Sequence, residues 1–151
     1  MEQSELCSAL SGLLTNGKYE ITLLANASAL INGFLTRINW VGFYLHRDGQ
    51  LILGPFQGKP ACEVIPMDKG VCGHAASRDA VTVVRDVHEF AGHIACDPDS
   101  RSEIVLPIHV HEQLYGVLDI DSPYIDRFSE DDENALSEAV KLLEKALENI
   151  L

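Results

Sequence analysis

The sequence is short of positive charge, of long apolar runs and of the closely spaced ligand pairs that hold metals. Lys and Arg number 11 against 23 Asp and Glu, a formal net charge of −12. So acidic a surface repels phosphate backbones and anionic lipid heads, which sets nucleic acid and membranes aside as partners. No apolar stretch approaches the roughly 18 residues that cross a bilayer. Met1 is not followed by a basic patch and an apolar run, so no secretory signal is visible and a reducing cytoplasm is the expected compartment. No repeat, low-complexity segment or linker interrupts the chain, and a single domain over residues 1–151 is expected. The four cysteines include no C-x2-C pair. A zinc site could still be drawn from Cys72, Cys96, His74, His88 and His93, but it would lack closely spaced ligands. No metal or other cofactor is expected.

What is present reads as helices, then strands, then a helix. Residues 4–14 carry Leu6, Ala9, Leu10, Leu13 and Leu14 on one side, and Asn16-Gly17 ends that helix. A second helix is expected over residues 19–32, ended by Gly33. From Trp40 to Leu45 the chain turns aromatic and β-branched, and Asp48-Gly49 before Leu51, Ile52 and Leu53 signals a hairpin. Short strands are expected at 62–65 and 80–84, with a short helix at 70–77 between them. Residues 86–101 form a long loop rich in His, Gly, Asp and Pro, a kind that is usually functional or disordered. Residues 102–109 and 113–121 make a second hairpin. Ser129 caps a last helix, whose acidic first turn suits the helix dipole. This order argues for an α+β fold with helices on one face of an antiparallel sheet.

Three groups could carry chemistry. The first is the cysteine set Cys62-x9-Cys72-x23-Cys96, in stretches punctuated by Gly and Pro. A thiol is nucleophilic as thiolate, near a helix N-terminus or a cation. Cys72 opens the short helix, and Cys96 has His93 before it and Arg101 after it, so either thiol could have a lowered pKa. Spacing does not choose between them or show which pair would bond. Cys7, on an amphipathic segment, fits a buried structural thiol. His46, His109 and His111 fit surface or hairpin positions, and His88 and His93 stay undecided.

The second group is acidic. Glu103 opens one strand of the second hairpin, and Asp119 and Asp121 end its partner. Two apart, the aspartates share one strand face. Solvated strand ends are the commoner explanation of such residues. If the three carboxylates converge instead, they make a negative pocket fit for an ammonium group, and crowding raises the pKa of at least one of them into the range of a proton donor. The third group is Trp40 and Tyr44, on one face of a strand, where core packing is the plain reading.

Together these residues resemble the free methionine-(R)-sulfoxide reductase family, whose members are GAF domains. The resemblance runs over about residues 39–128 and weakly to the end. It is carried by Asn39-Trp40-Val41-Gly42-Phe43-Tyr44, Gly70-Val71-Cys72-Gly73, Gly92-His93-Ile94-Ala95-Cys96-Asp97, Ser100-Arg101-Ser102-Glu103-Ile104-Val105 and Leu118-Asp119-Ile120-Asp121-Ser122. It implies a six-stranded antiparallel sheet flanked by helices. Residue by residue, Cys96 matches the nucleophile, Cys62 the main resolving thiol, and Cys72 a third thiol that can help in recycling. Glu103, Asp119 and Asp121 match the acidic ligand-binding set, and Trp40 and Tyr44 its aromatic wall. The resemblance further implies a homodimer, thioredoxin as reductant, and free methionine sulfoxide as substrate. Two rival readings are a sensory GAF module that only binds a small molecule, and a redox sensor whose Cys62–Cys96 disulfide reports peroxide.

Overall fold

The structure is a computed structural model that describes residues 3–94 and 96–151; Ala95, within one of the segments carrying the resemblance, lies outside the described residues. The elements in chain order are α1 (Gln3–Leu14), α2 (Glu20–Phe34), β1 (Trp40–Arg47), β2 (Gln50–Gly58), β3 (Val64–Pro66), α3 (Gly70–Arg78), β4 (Thr82–Val84), β5 (Ser102–Val110), β6 (Gln113–Ser122) and α4 (Glu130–Ile150). The six strands form one antiparallel sheet in the order β3-β2-β1-β6-β5-β4. The fold is α+β, as the element order implied.

Strand alternation splits the core in two. Val41, Phe43, Ile104, Leu106, Leu118 and Ile120 point to one face, where they pack with Leu6 and Leu10 of α1, Leu24 and Ile31 of α2, and Leu136, Leu143 and Leu147 of α4. Their neighbours Trp40, Tyr44, Val105 and Val117 point to the other face, and pack with Val71, Ala75 and Ala76 of α3. Helices on one face alone were expected. Instead α3 and the long loop cover the second face, because Val71, Cys72, Ala75 and Ala76 give even this short helix an apolar side to bury.

Local chemistry explains most boundaries. Asn16, at φ 63°, takes the left-handed turn after α1. Asp48 and Gly49 both have positive φ, the two-residue turn whose twist matches its strands. Ser129 accepts from the Asp132 backbone N–H while the Asp132 carboxylate accepts from the Ser129 N–H, closing a capping box on α4. Five expectations shift. Among the α1 residues whose burial is described, the buried stripe is Leu6, Leu10 and Leu14, and Leu13 is exposed. Helix α2 runs through Gly33 to Phe34, because Gly33 keeps helical geometry and the chain turns extended at Leu35, whose side chain is buried. Strand β3 begins at Val64 rather than at Cys62, and β4 at Thr82. The long loop contains a 3-10 turn, Val87–Glu89, in which the Asp86 side chain accepts from the His88 N–H and Val87 is buried.

Candidate active site

The antiparallel register assembles the acidic group. Glu103 of β5 lies opposite Asp121 of β6, and Val105 opposite Asp119. On the other side of β6, Trp40 of β1 lies opposite Asp121 and Gly42 opposite Asp119. Partners across a strand pair share a face, so the three carboxylates and Trp40 all project from the second face. Solvated strand ends are thereby excluded: Glu103 is 5%, Asp119 5% and Asp121 9% exposed. They line a cleft of about 490 Å³, counted with the part open to solvent, together with Trp40, Tyr44, Cys72, His93, Cys96 and Asp97.

Taking three carboxylates out of water raises the pKa of each, and burial is the largest cause in every case. Repulsion from its aspartate neighbours pushes Glu103 further, and the Asp119 charge does the same to Asp121. No Lys or Arg is among the described residues that line the cleft. His93 is the one basic side chain there, with Nε2 3.8 Å from Glu103 Oε1. Its own pKa is lowered, by burial first and by His88 second, so it adds little positive charge near neutrality. Asp119 Oδ1 is buried without a hydrogen-bond partner among the described residues. Leaving such an acceptor unsatisfied costs about 1–3 kcal/mol, which a donor on a ligand would recover.

Trp40 and Tyr44 both line the cleft. Trp40 stacks on Phe56 at 5.3 Å and on Tyr44 at 5.9 Å. Gly42 makes room for it: a Cβ there would come within 2.8 Å of the Trp40 ring and 2.3 Å of Phe56 Cβ. Both rings also anchor the chain before β3. Trp40 Nε1 donates to the Lys59 carbonyl at 3.1 Å, and Tyr44 Oη donates to the Cys62 carbonyl at 2.9 Å. Burial and the surrounding acids raise the Tyr44 pKa, which keeps the hydroxyl a donor.

Cys62 and Cys96 form a disulfide across the mouth of the cleft, with Cα atoms 5.6 Å apart. Cys62 comes from the segment after β2, and Cys96 from the loop before β5. A second tie joins the same two segments, Lys59 Nζ to Asp99 Oδ2 at 2.7 Å. The turn after Cys96 is shaped by Asp97, whose Oδ1 accepts from the Asp99 N–H. Asn39, just before β1, donates from Nδ2 to Asp97 Oδ2 at 2.9 Å and to Ser100 Oγ at 3.1 Å, fastening that turn to the sheet. Lys59, Asp97 and Ser100 went unrecognised in the sequence as site residues. Asn39, Asp97 and Ser100 stand inside the segments that carry the resemblance, and that was the available signal.

Cys72 behaves differently from the expectation for a thiol at a helix start. It is 3% exposed, its Sγ lies 3.9 Å from Glu103 Oε2, and its pKa is raised well above the ordinary thiol value. Burial and then the negative field of Asp119, Glu103 and Asp121 outweigh the helix terminus. Three of the five groups considered for zinc are engaged elsewhere. Cys96 is in the disulfide, His74 stands edge-on to Phe90, and His88 pairs with Asp86. Cys72, Glu103 and Asp119 do place ligand atoms within 4.8 Å of one another, close enough to share an ion. The remaining thiol, Cys7, is half-buried, with Sγ 3.9 Å from the Ala135 carbonyl of α4.

Comparison with known proteins gives this geometry its context. The GAF domain family model matches residues 21–147. The free methionine-R-sulfoxide reductase of Escherichia coli is 56% identical over 127 residues, covering 84% of this chain and 77% of that protein. The chain belongs to the GAF-domain family of free methionine-R-sulfoxide reductases. Among solved structures of this family, that of fRMsr of Staphylococcus aureus in complex with substrate is 50% identical with a TM-score of 0.93, covering 97% of this chain and 95% of that one. The free methionine-R-sulfoxide reductase of Neisseria meningitidis, also in complex with its substrate, is 39% identical with a TM-score of 0.92, covering 97% and 88%. Among the described residues, no helix is long and apolar enough to cross a membrane.

Proposed function

We propose that this protein reduces free L-methionine (R)-S-oxide to L-methionine with its own thiols. The observation that carries the reading is a disulfide, Cys62–Cys96, closing a cleft whose floor is three buried carboxylates and whose wall is Trp40 and Tyr44. Identity to relatives named for this activity supports it.

In the reduced enzyme the Cys96 thiolate attacks the sulfoxide sulfur. A protonated carboxylate of the cluster hydrogen-bonds the sulfoxide oxygen and gives it a proton as the S–O bond breaks. Methionine leaves with its sulfur two electrons richer, and Cys96 holds the oxygen as sulfenic acid. The Cys62 thiol condenses with that sulfenic acid, releasing water and forming the disulfide. A dithiol such as thioredoxin then returns both cysteines to thiols. Oxygen, protons and electrons are all accounted for without Cys72. The remaining carboxylates, with the unpaired Asp119 Oδ1, hold the substrate ammonium, and backbone N–H groups of the loop bearing Cys96 face its carboxylate. A methionine inside a peptide lacks both charged ends and would leave those groups unpaired, so it is rejected. The working form is a cytoplasmic homodimer.

Two variants test the reading. Cys96→Ser abolishes methionine formation even with a strong artificial dithiol. Cys62→Ser loses thioredoxin-linked turnover yet releases about one methionine per chain in a single turnover. Full activity in Cys96→Ser would overturn the assignment. Peroxide oxidising the pair faster than free sulfoxide would favour a sensor.

A further inference from the structure

Cys72 is the one thiol of the cleft that the chemistry above leaves unused, and its surroundings give it a separate task. Gly70 and Val71 start α3 so that the third residue of the helix points at the sheet, and Gly73 holds the helix close. A Cβ on Gly73 would stand 2.4 Å from the Pro66 carbonyl oxygen. The result is a sulfur set on the carboxylates: 3.9 Å from Glu103 Oε2, and in a cluster whose members all lie within 4.8 Å of one another, Asp119 included. Buried carboxylates need donors. Cys72 donates to Glu103, whereas His93 Nε2, 3.8 Å from Glu103 Oε1, stands beyond hydrogen-bond distance, and Asp119 Oδ1 is still unpaired among the described residues. The disulfide, meanwhile, forms between the two half-buried thiols, Cys62 and Cys96, and does not involve the buried one.

We propose that Cys72 serves as a positioning residue, a protonated S–H donor to the Glu103–Asp119–Asp121 cluster, and takes no part in disulfide exchange. Its bond holds one face of the cluster and turns the free oxygens, Asp119 Oδ1 among them, toward the substrate. A donor also steadies the ionised form of the acid it touches, so Cys72 sets the pH at which the cluster gives up its proton. This departs from the recycling role that family likeness implies, and it rests on the reductase reading above. Burial supports it chemically, because the thiolate that exchange requires is suppressed at this position.

The experiment compares wild type, Cys72→Ser and Cys72→Ala on free methionine (R)-sulfoxide, with methionine release followed from pH 6 to 10. Serine keeps a donor and alanine does not. Cys72→Ser is expected to stay within about twofold of wild type, while Cys72→Ala loses roughly tenfold in kcat, the size expected for one hydrogen bond to a charged group. In Cys72→Ala the alkaline limb of the profile moves to higher pH, and in Cys72→Ser it returns. A second measurement needs no variant at position 72. Thiols of wild type and of Cys62→Ser are alkylated after turnover, and position 72 is expected to be recovered as free thiol in both. Identical profiles for Ser and Ala, or a Cys72–Cys96 disulfide with sustained turnover in Cys62→Ser, would overturn the inference. Failure of wild type itself to release methionine would strike the reductase reading instead.

Discussion

Asp121 shows the tension at the scale of single residues. A carboxylate in the unfolded chain titrates near 4, whereas burial and the Asp119 charge hold the folded one well above that. Between the two values the folded protein binds more protons than the unfolded chain, so stability falls as pH rises through that window. Glu103 and Asp119 act in the same direction. Asp121→Asn removes one such charge without changing shape. Its Tm is therefore expected to rise by a few degrees at pH 8 and less at pH 5, while kcat/KM falls by roughly a hundredfold or more, as for removal of a group that stabilises the transition state. Thermal melts at the two pH values, with methionine release on the same preparations, check both halves. A variant less stable than wild type at pH 8 would contradict the burial argument. The same raised values imply that wild-type kcat declines on the alkaline side, as the proton donor is lost.

Elements carry the next set of effects. Gly42 lies under Trp40, which stacks on Phe56 across β1 and β2. Gly42→Ala forces the ring aside and is expected to cost about 1–3 kcal/mol, the range for overpacking a tight site. The chain has a single tryptophan, so near-UV circular dichroism reads that displacement directly, and an unchanged Trp signal would refute it. The β5–β6 turn is the opposite case. His111 and Glu112 both take positive φ, at 51° and 66°, without a glycine. Glu112→Gly relieves one strained position, and the urea midpoint is expected to rise by the equivalent of about 0.5–1 kcal/mol. These examples also mark how far sequence reading reaches. Strand alternation and the Asp48-Gly49 turn made β1, β2, β5 and β6 legible, and the two-residue spacing of Asp119 and Asp121 put them on one face. Whether that face was wet or buried was not legible, because it depends on α3 and the loop folding over it. The opposition of Glu103 to Asp121 is a matter of register, set by the His111-Glu112 turn together with a one-residue shift between Ile108 and His109, and neither carries a hairpin signature. Gly33 misled because a glycine can sit in a helix when the real stop, Leu35, is dictated by burial.

At the scale of the whole molecule, sheet order does the assembling. The cysteines that bond are 34 residues apart, and no local rule pairs them. They meet because β1 and β6 lie at the centre of the sheet, β2 and β5 flank them, and the segments leaving those flanking strands fold over the same face. Lys59–Asp99 and the Asn39 contacts hold the two segments in place beside the disulfide. Pairing of Cys62 with Cys96 was implied by family likeness alone, and the structure brings the two together. The expectation that either thiol is activated splits: Cys72 is suppressed by burial and then by the field of the cluster, and Cys96 is half-buried in the disulfide.

The most direct test is stoichiometric. Fully reduced protein is mixed with free methionine (R)-sulfoxide and, separately, with the (S) form, without any reductant. Methionine and the Cys62–Cys96 disulfide are then quantified over time. The account predicts about one methionine and one disulfide per chain from the (R) form, and almost none from the (S) form. Both thiols remaining reduced while the substrate survives intact would contradict it.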